Sequence, residues 1–262
     1  MAMRQKLVLG LDIGGSGVKG AIVDIAKGKF VSERIRIPTP ATHTPENILS
    51  TIDEIVKALN WKGPIGCGFP GVVRSQTIET AANLGGKNFI GVNLADEIYQ
   101  RCGCKAWVLN DADAAGLAEF SYGAGKNKNG VVMMFTIGTG IGSCLSVNGT
   151  LLPNLELGHL KMRDKSIGKN VSAEKICSDA IRKSRDLSWR QWAVRFNKYL
   201  DYVYALFRPN LIILGGGAAS KSEKFLKYLS VNCDMEIATL QNQAGIIGSA
   251  LAAYQNICKP RK

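Results

Sequence analysis

Residues 7–24 read LVLGLDIGGSGVKGAIVD, and the parsing of this stretch decides the fold. Leu7, Val8, Leu9 and Leu11 make an apolar run that predicts a buried strand reaching Asp12. Gly14, Gly15, Gly17 and Gly20 follow closely, with Ser16 and Lys19 among them. Glycine has no Cβ, so backbone N–H groups can approach an anion, and a lysine adds positive charge. Residues 15–20 match the G-x-G-x-x-G pattern, but that dinucleotide fingerprint requires a helix to open inside it. Here Ala21 to Ile25 continue as an apolar run, Lys27-Gly28 is a turn, and Ile35 and Ile37 alternate, which predicts β-hairpins. The Walker pattern also fails, for want of Gly-Lys-Ser/Thr at its spacing. The reading is strand, phosphate-holding loop, strand; the alternative is a tight turn with no ligand.

The same pattern returns further on. Val131 to Phe135 is an apolar strand, Thr136 to Gly142 a glycine-rich turn, and Ser143 to Val147 a second strand before an Asn148-Gly149 hairpin signal. Leu211 to Leu214 is another buried strand, closed by Gly215-Gly216-Gly217. Two similar halves predict an α/β fold built by internal duplication, with a cleft between packed lobes. The expected division is a small lobe of residues 1–110 joined by a C-terminal helix over 245–262, and a large lobe of residues 111–244. Helices are predicted from Pro45, over Leu94 to Arg101, over Ala114 to Tyr122 with Asp113 as cap, and from Ser172 to Ser184. A capping box at Ser188 and Gln191 opens another, in which Trp192, Phe196, Leu200 and Val203 face the core, and Ile246 to Tyr254 forms the last.

Among 262 residues, 46% are hydrophobic and 21% charged, an ordinary balance for a soluble globular chain. No apolar run approaches the ~20 residues of a membrane span, and the first strand begins too early for a signal peptide. Seven cysteines, an odd and scattered set, predict a reducing, cytoplasmic setting rather than a disulfide framework. With two histidines in the chain and Cys102 and Cys104 as the one close cysteine pair, zinc is not expected. The charge is uneven: residues 1–159 hold 15 Lys+Arg against 13 Asp+Glu, whereas residues 160–262 hold 18 against 8. That excess is either a solvated basic face or a track for a polyanion, nucleic acid or polyphosphate.

Three glycine turns after buried strands suit a polyanionic phosphate donor, and phosphoryl transfer then needs a base, acceptor-orienting groups and a divalent cation. Asp111, at a strand end beside Asn110, is the candidate base; an ionised carboxylate can take the proton of a hydroxyl as the new bond forms. Glu156 and His159, in Glu-Leu-Gly-His, are candidates for binding vicinal diols. The alternative for His159 is a lone core histidine.

Taken together, residues 9–24, Gly68-Phe-Pro-Gly71, residues 109–119, Thr136 to Gly142, Glu156 to His159 and Leu214 to Gly217 resemble the ROK family of sugar kinases. The stretches 12–19, 122–127 and 149–154 resemble its polyphosphate-using glucokinases. The resemblance runs from about Leu7 to Tyr254 and implies an actin/hexokinase-like (ribonuclease H-like) two-lobed fold. It implies transfer of a phosphoryl group from polyphosphate or ATP to the 6-hydroxyl of glucose, possible use of mannose, and a homodimer. It matches Asp111 to the catalytic base and Asn83, Asn110, Glu156 and His159 to sugar ligands. Asp12 matches a residue holding donor-bound Mg²⁺. Gly14, Gly15, Ser16, Gly17 and Lys19, with Gly138, Thr139 and Gly140, match phosphate loops, and Gly215, Gly216 and Gly217 would lie near an adenosine if ATP binds. One departure stands out. Most members continue after Glu-x-Gly-His with a cysteine-rich zinc motif, which is missing here, along with the acidic sugar ligand that follows it; Glu174 is expected in that place. With the first strand expected from about residue 6, the repressors' DNA-binding extension is not expected either. The alternatives are an ATP-only kinase for another sugar, and a non-enzymatic sugar-sensing or nucleic-acid-binding regulator.

Overall fold

The computed structural model describes residues 6–81, 84, 86–164, 166 and 168–259. The chain divides into two compact units, one of residues 1–118 and 243–262 and the other of residues 119–242.

In the first unit, β1 (Leu7–Gly14) and β2 (Gly17–Asp24) form an antiparallel hairpin. The short strands β3 (Lys29–Phe30) and β4 (Ile35–Ile37) pair with β2. Gly28, at φ 63°, makes the turn before β3. Helix α1 (Pro45–Ala58) starts because the Thr44 hydroxyl accepts the Asn47 N–H and proline takes the first helical position, where no donor is needed. Its Ile48, Ile52 and Ile55 stripe is fully buried. Strand β5 (Ile65–Phe69) runs parallel to β1; β6 (Val73–Arg74) and β7 (Thr77–Ile78) form a small hairpin. Helix α2 (Leu94–Cys102), capped by Asn93, leads to β8 (Ala106–Asn110), which extends the sheet in parallel. Helix α3 (Asp111–Tyr122) follows without a gap.

The second unit repeats this plan. Strand β9 (Val131–Ile137) pairs antiparallel with β10 (Ile141–Val147), which pairs with β11 (Thr150–Leu152) across Asn148-Gly149, both at positive φ. A separate hairpin, β12 (Lys161–Asp164) and β13 (Lys169–Ser172), precedes α4 (Glu174–Cys177), α5 (Asp179–Ser184) and α6 (Trp189–Phe207). Strands β14 (Leu211–Gly215) and β15 (Asp234–Ile237) add in parallel beside β9. Helix α7 (Ala244–Ala253) returns to the first unit. The sheet orders β3-β2-β1-β5-β8 and β11-β10-β9-β14-β15 have the same sense at every step, so the duplication predicted from the glycine turns is present in the topology. This is the actin/hexokinase-like plan.

Each unit has its own core. The first packs Leu9, Leu11 and Ile13 against the α1 stripe, Ile65 and Phe69. The second packs Phe135, Ile212 and Leu214 against Trp192, Phe196 and Tyr199 of α6. Helix α7 lies directly on β1 and β5, because a Cβ at Gly10 or Gly66 would collide with the backbone carbonyls of Ile246 and Ser249.

Two expectations need correction. The helix predicted from Ala114 begins at Asp111, because the buried Asn110 accepts the N–H groups of Ala112 (2.8 Å) and Asp113 (3.1 Å) through Oδ1. Asn110 is therefore the cap and Asp113 sits inside the first turn. The single helix predicted from Ser172 to Ser184 is instead a strand end followed by two short helices. Ser178 is extended and turns its hydroxyl to the Ile181 N–H, breaking the run and capping α5.

Candidate active site

In the first unit, the β1–β2 register sets Asp12 opposite Lys19, and Lys19 Nζ lies 3.0 Å from Asp12 Oδ2. Both side chains remain partly exposed, so the carboxylate is available to an incoming ion. Gly245, in the first turn of α7, would place a Cβ only 3.2 Å from the Asp12 carboxyl carbon, so the positive end of a helix also faces this carboxylate. The hairpin turn is Gly15-Ser16. Arg36 Nη2 donates to the Ser16 carbonyl at 2.8 Å, an approach open because Gly17 lacks a Cβ, and the Thr39 hydroxyl donates to the Gly14 carbonyl. Arg36 is a cation beside the Gly15-Ser16 turn that the sequence reading missed. Its signal lay in the alternation of Ile35-Arg36-Ile37, which presents one polar side chain where β4 pairs with Lys19 of β2. Gly20, by contrast, lies in β2 against Ile55 and Leu11 and serves packing.

Asp111 stands at the first position of α3 and is only half-buried. Its Oδ1 accepts the Ala112 N–H at 2.8 Å. Asn110 is held on both sides: Oδ1 caps α3, and Nδ2 donates to the Gly71 carbonyl at 3.1 Å. The amide carries a second hydrogen, and that is the one it can offer to a sugar hydroxyl. Asn83 lies outside the described residues.

In the second unit, Ser143 of β10 donates to the Leu155 carbonyl and accepts the Leu157 N–H, pinning the turn that carries Glu156 and His159. Glu174, at the start of α4, places Oε1 3.6 Å from His159 Nε2, while Glu156 Oε2 lies 4.0 Å from His159 Nδ1. Two carboxylates thus flank one exposed imidazole, both beyond direct hydrogen-bond range. Glu174 also borders the second glycine turn: a Cβ on Gly140 would lie 2.7 Å from Glu174 Oε2. The Gly138–Gly140 turn is closed by Gly138 N–H to the Gly140 carbonyl, and the Gly138 carbonyl accepts the Ala180 N–H of α5.

Strand β14 ends in Gly215-Gly216 beside β9, and Gly216, at φ 77°, packs onto the Ile137 backbone, where no side chain would fit. Next to it a cleft of about 360 Å³ is lined by Asp179, Arg182, Lys183, Trp189, Gly217–Ala218, Ser220, Lys221 and Lys224. Burial pushes the Asp179 carboxyl up, but hydrogen bonds from Lys183 and Arg182 outweigh this and hold its pKa below the ordinary value.

Among the described residues no group of three or more His, Cys, Asp or Glu could hold a metal ion. A single carboxylate, Asp12, nevertheless suits a hard divalent cation that takes its remaining ligands from donor phosphates and water. Burial pushes the Cys67 and Cys177 thiols far up and Cys102 up to about 11. No helix among the described residues is long and apolar enough to cross a membrane.

The ROK family model matches residues 8–184. The chain is 42% identical to a polyphosphate glucokinase of Mycobacterium tuberculosis over 96% of its own length and 93% of the relative's. A crystal structure of an inorganic polyphosphate/ATP-glucomannokinase from Arthrobacter sp. strain KM superposes with a TM-score of 0.88 at 38% identity, covering 95% of this chain and 99% of that one. A ROK family glucokinase from Streptomyces griseus, solved with glucose and AMPPNP, shares the fold at a TM-score of 0.80 and 23% identity, over 95% and 100% of the two chains.

Proposed function

This chain belongs to the ROK family, and from that premise we infer that it is a glucokinase that moves the terminal phosphoryl group of inorganic polyphosphate or ATP onto the 6-hydroxyl of glucose. The observation that carries this reading is the 42% identity to a polyphosphate glucokinase, spread over nearly the whole of both chains. The duplicated sheets and the clustering of Glu156, His159 and Glu174 beside a glycine turn support it.

Asp111 accepts the proton of the sugar hydroxyl as the oxygen–phosphorus bond forms, and the bond from that phosphorus to the rest of the donor breaks. Asn110, Glu156, His159 and Glu174 orient the sugar, with Asn83 as a further contact. Gly14–Gly17 with Lys19, and Gly138–Gly140, present backbone N–H groups and charge to the phosphates. Gly215 and Gly216 serve the donor beyond the reacting phosphate. Asp12 is the residue that would hold Mg²⁺, which supplies charge neutralisation to the donor phosphates. Lys19, whose Nζ lies 3.0 Å from Asp12 Oδ2, sets a positive charge beside the same loop. Mannose is a second acceptor, and the protein works as a cytoplasmic homodimer.

A panel of glucose, mannose, fructose and amino sugars against ATP and polyphosphate tests the reading. Glucose 6-phosphate formed from polyphosphate is the expected result. Activity confined to another sugar, or with no phosphoryl donor at all, refutes it.

A further inference from the structure

The cleft beside Gly217 adjoins the glycine turn assigned to the donor, and its charged lining has no role in that assignment. Four cations line it, Arg182, Lys183, Lys221 and Lys224, against one carboxylate, Asp179. Asp179 is already engaged by Arg182 Nε at 2.7 Å and Lys183 Nζ at 2.8 Å. Lys221 and Lys224 are exposed and have no carboxylate within ion-pair distance among the described residues. Apart from Trp189, the remaining walls are small, Gly217, Ala218 and Ser220, so space is kept open between the charges.

The one aromatic group in the lining is poorly placed to receive a purine. The Arg182 guanidinium sits 4.0 Å from the Trp189 ring centroid, Phe225 stacks on the same indole at 5.6 Å, and Trp192 meets it edge-on at 5.7 Å. A base could stack there only by displacing Arg182 from a cation–π contact. One wall of the cleft is tied to the Gly138–Gly140 turn: Ala180 of α5 donates to the Gly138 carbonyl, and the same short helix carries Arg182 and Lys183 into the cleft. Strand register sets the second wall, since Gly215 pairs with Thr136 just before that turn.

We propose that this cleft seats the non-reacting length of an inorganic polyphosphate chain, with Lys221 and Lys224 as the residues that favour a long chain over a nucleotide. The proposal rests on the reading of polyphosphate as a donor. A linear polyanion presents a charge at every unit and needs several flexible point cations along its path, which lysine ammonium groups provide. ATP would set a neutral nucleoside beside these cations, where polyphosphate sets further charges.

The test compares the full-length protein with Lys221→Ala/Lys224→Ala and with the charge-reversed Lys221→Glu/Lys224→Glu, using glucose with either long-chain polyphosphate or ATP. Both lysines are exposed, and thermal melts confirm that each variant folds. The alanine pair should raise the KM for long-chain polyphosphate about tenfold with kcat within about twofold, and charge reversal should raise it further. The KM for ATP should stay within about twofold. An unchanged polyphosphate KM, or an equal rise for ATP, overturns the proposal. So does an equal loss of single-stranded oligonucleotide binding, which would mark a general polyanion face. If the unmodified enzyme uses ATP but not polyphosphate, the donor reading itself has failed, and that is seen before any variant is made.

Discussion

Replacing Asn110 separates its architectural role from its chemical one. In Asn110→Ala, the Asp113 N–H and the Gly71 carbonyl lose their partner at a site only 7% exposed, where water cannot readily replace it. The Ala112 N–H keeps Asp111 Oδ1 and is not stranded. Loss of the cap bond to the Asp113 N–H costs about 1 kcal/mol, and the Gly71 carbonyl deprived of its donor adds about 1–3 kcal/mol, so a total of about 2–4 kcal/mol is expected. At about 2–4 °C per kcal/mol for a chain of this size, the melting temperature should fall by roughly 5–15 °C. Asn110→Asp preserves both cap acceptors at a helix N-terminus, where negative charge is favourable. It loses only the donor to Gly71 and should cost about 1–2 kcal/mol. Thermal melts by circular dichroism, paired with steady-state kinetics on glucose, read both roles. The alanine variant should also lose about tenfold or more in kcat/KM, because the turn it caps carries Asp111. Equal destabilisation by the two substitutions, or melting temperatures within 1 °C of the parent, would show that Asn110 does not organise this helix start.

Asp111→Asn should lower turnover by at least ~10³-fold with little change in glucose binding by calorimetry, since it removes the base and keeps the shape; retention of a tenth of the activity removes that role. Glu174→Gln should raise the glucose KM about 10–100-fold, the worth of one charge-assisted hydrogen bond, and leave the donor KM alone. If the donor KM moves instead, Glu174 acts through the Gly140 turn and not on sugar. Added salt should weaken polyphosphate use more steeply than ATP use, as more phosphates are neutralised, and equal slopes argue against a basic track. Hydrogen bonds from Ser166 and the Arg185 guanidinium overcome the effect of burial and hold the Asp164 carboxyl down to about 2. Because this folded-state pKa lies below the unfolded value near 3.9, the stabilisation, about 1–2 kcal/mol after screening, is complete above about pH 4 and lost as pH falls toward 2. Asp164→Asn should therefore lower the melting temperature at pH 7 and converge with the parent near pH 2, whereas a constant offset at both pH values contradicts the linkage.

What the sequence determined by itself was whatever depends on near neighbours along the chain. The apolar runs at Leu7, Val131 and Leu211 specify buried strands, Asn148-Gly149 specifies a hairpin because its backbone must enter positive φ, and Thr44-Pro45 and Ser188 with Gln191 specify helix starts. The duplication was legible for the same reason, since strand, glycine turn and strand occur twice in order. Ordered motifs likewise carried the family. Local pattern failed where two local partners competed, at Asn110 against Asp113 and at Ser178 inside a helical run, because the winner depends on the hydrogen bonds each side chain finds in the folded chain. Only tertiary structure could bring Arg36 to the Ser16 carbonyl, 20 residues away in sequence, through the register of β4 on β2. Packing likewise set Glu174 beside His159 and made one cleft from Arg182, Lys221 and their neighbours. Those contacts depend on how strands and helices pack, which no window of sequence contains. Residues 7–24 therefore announced the fold, while the charges that surround a phosphate were assembled by folding.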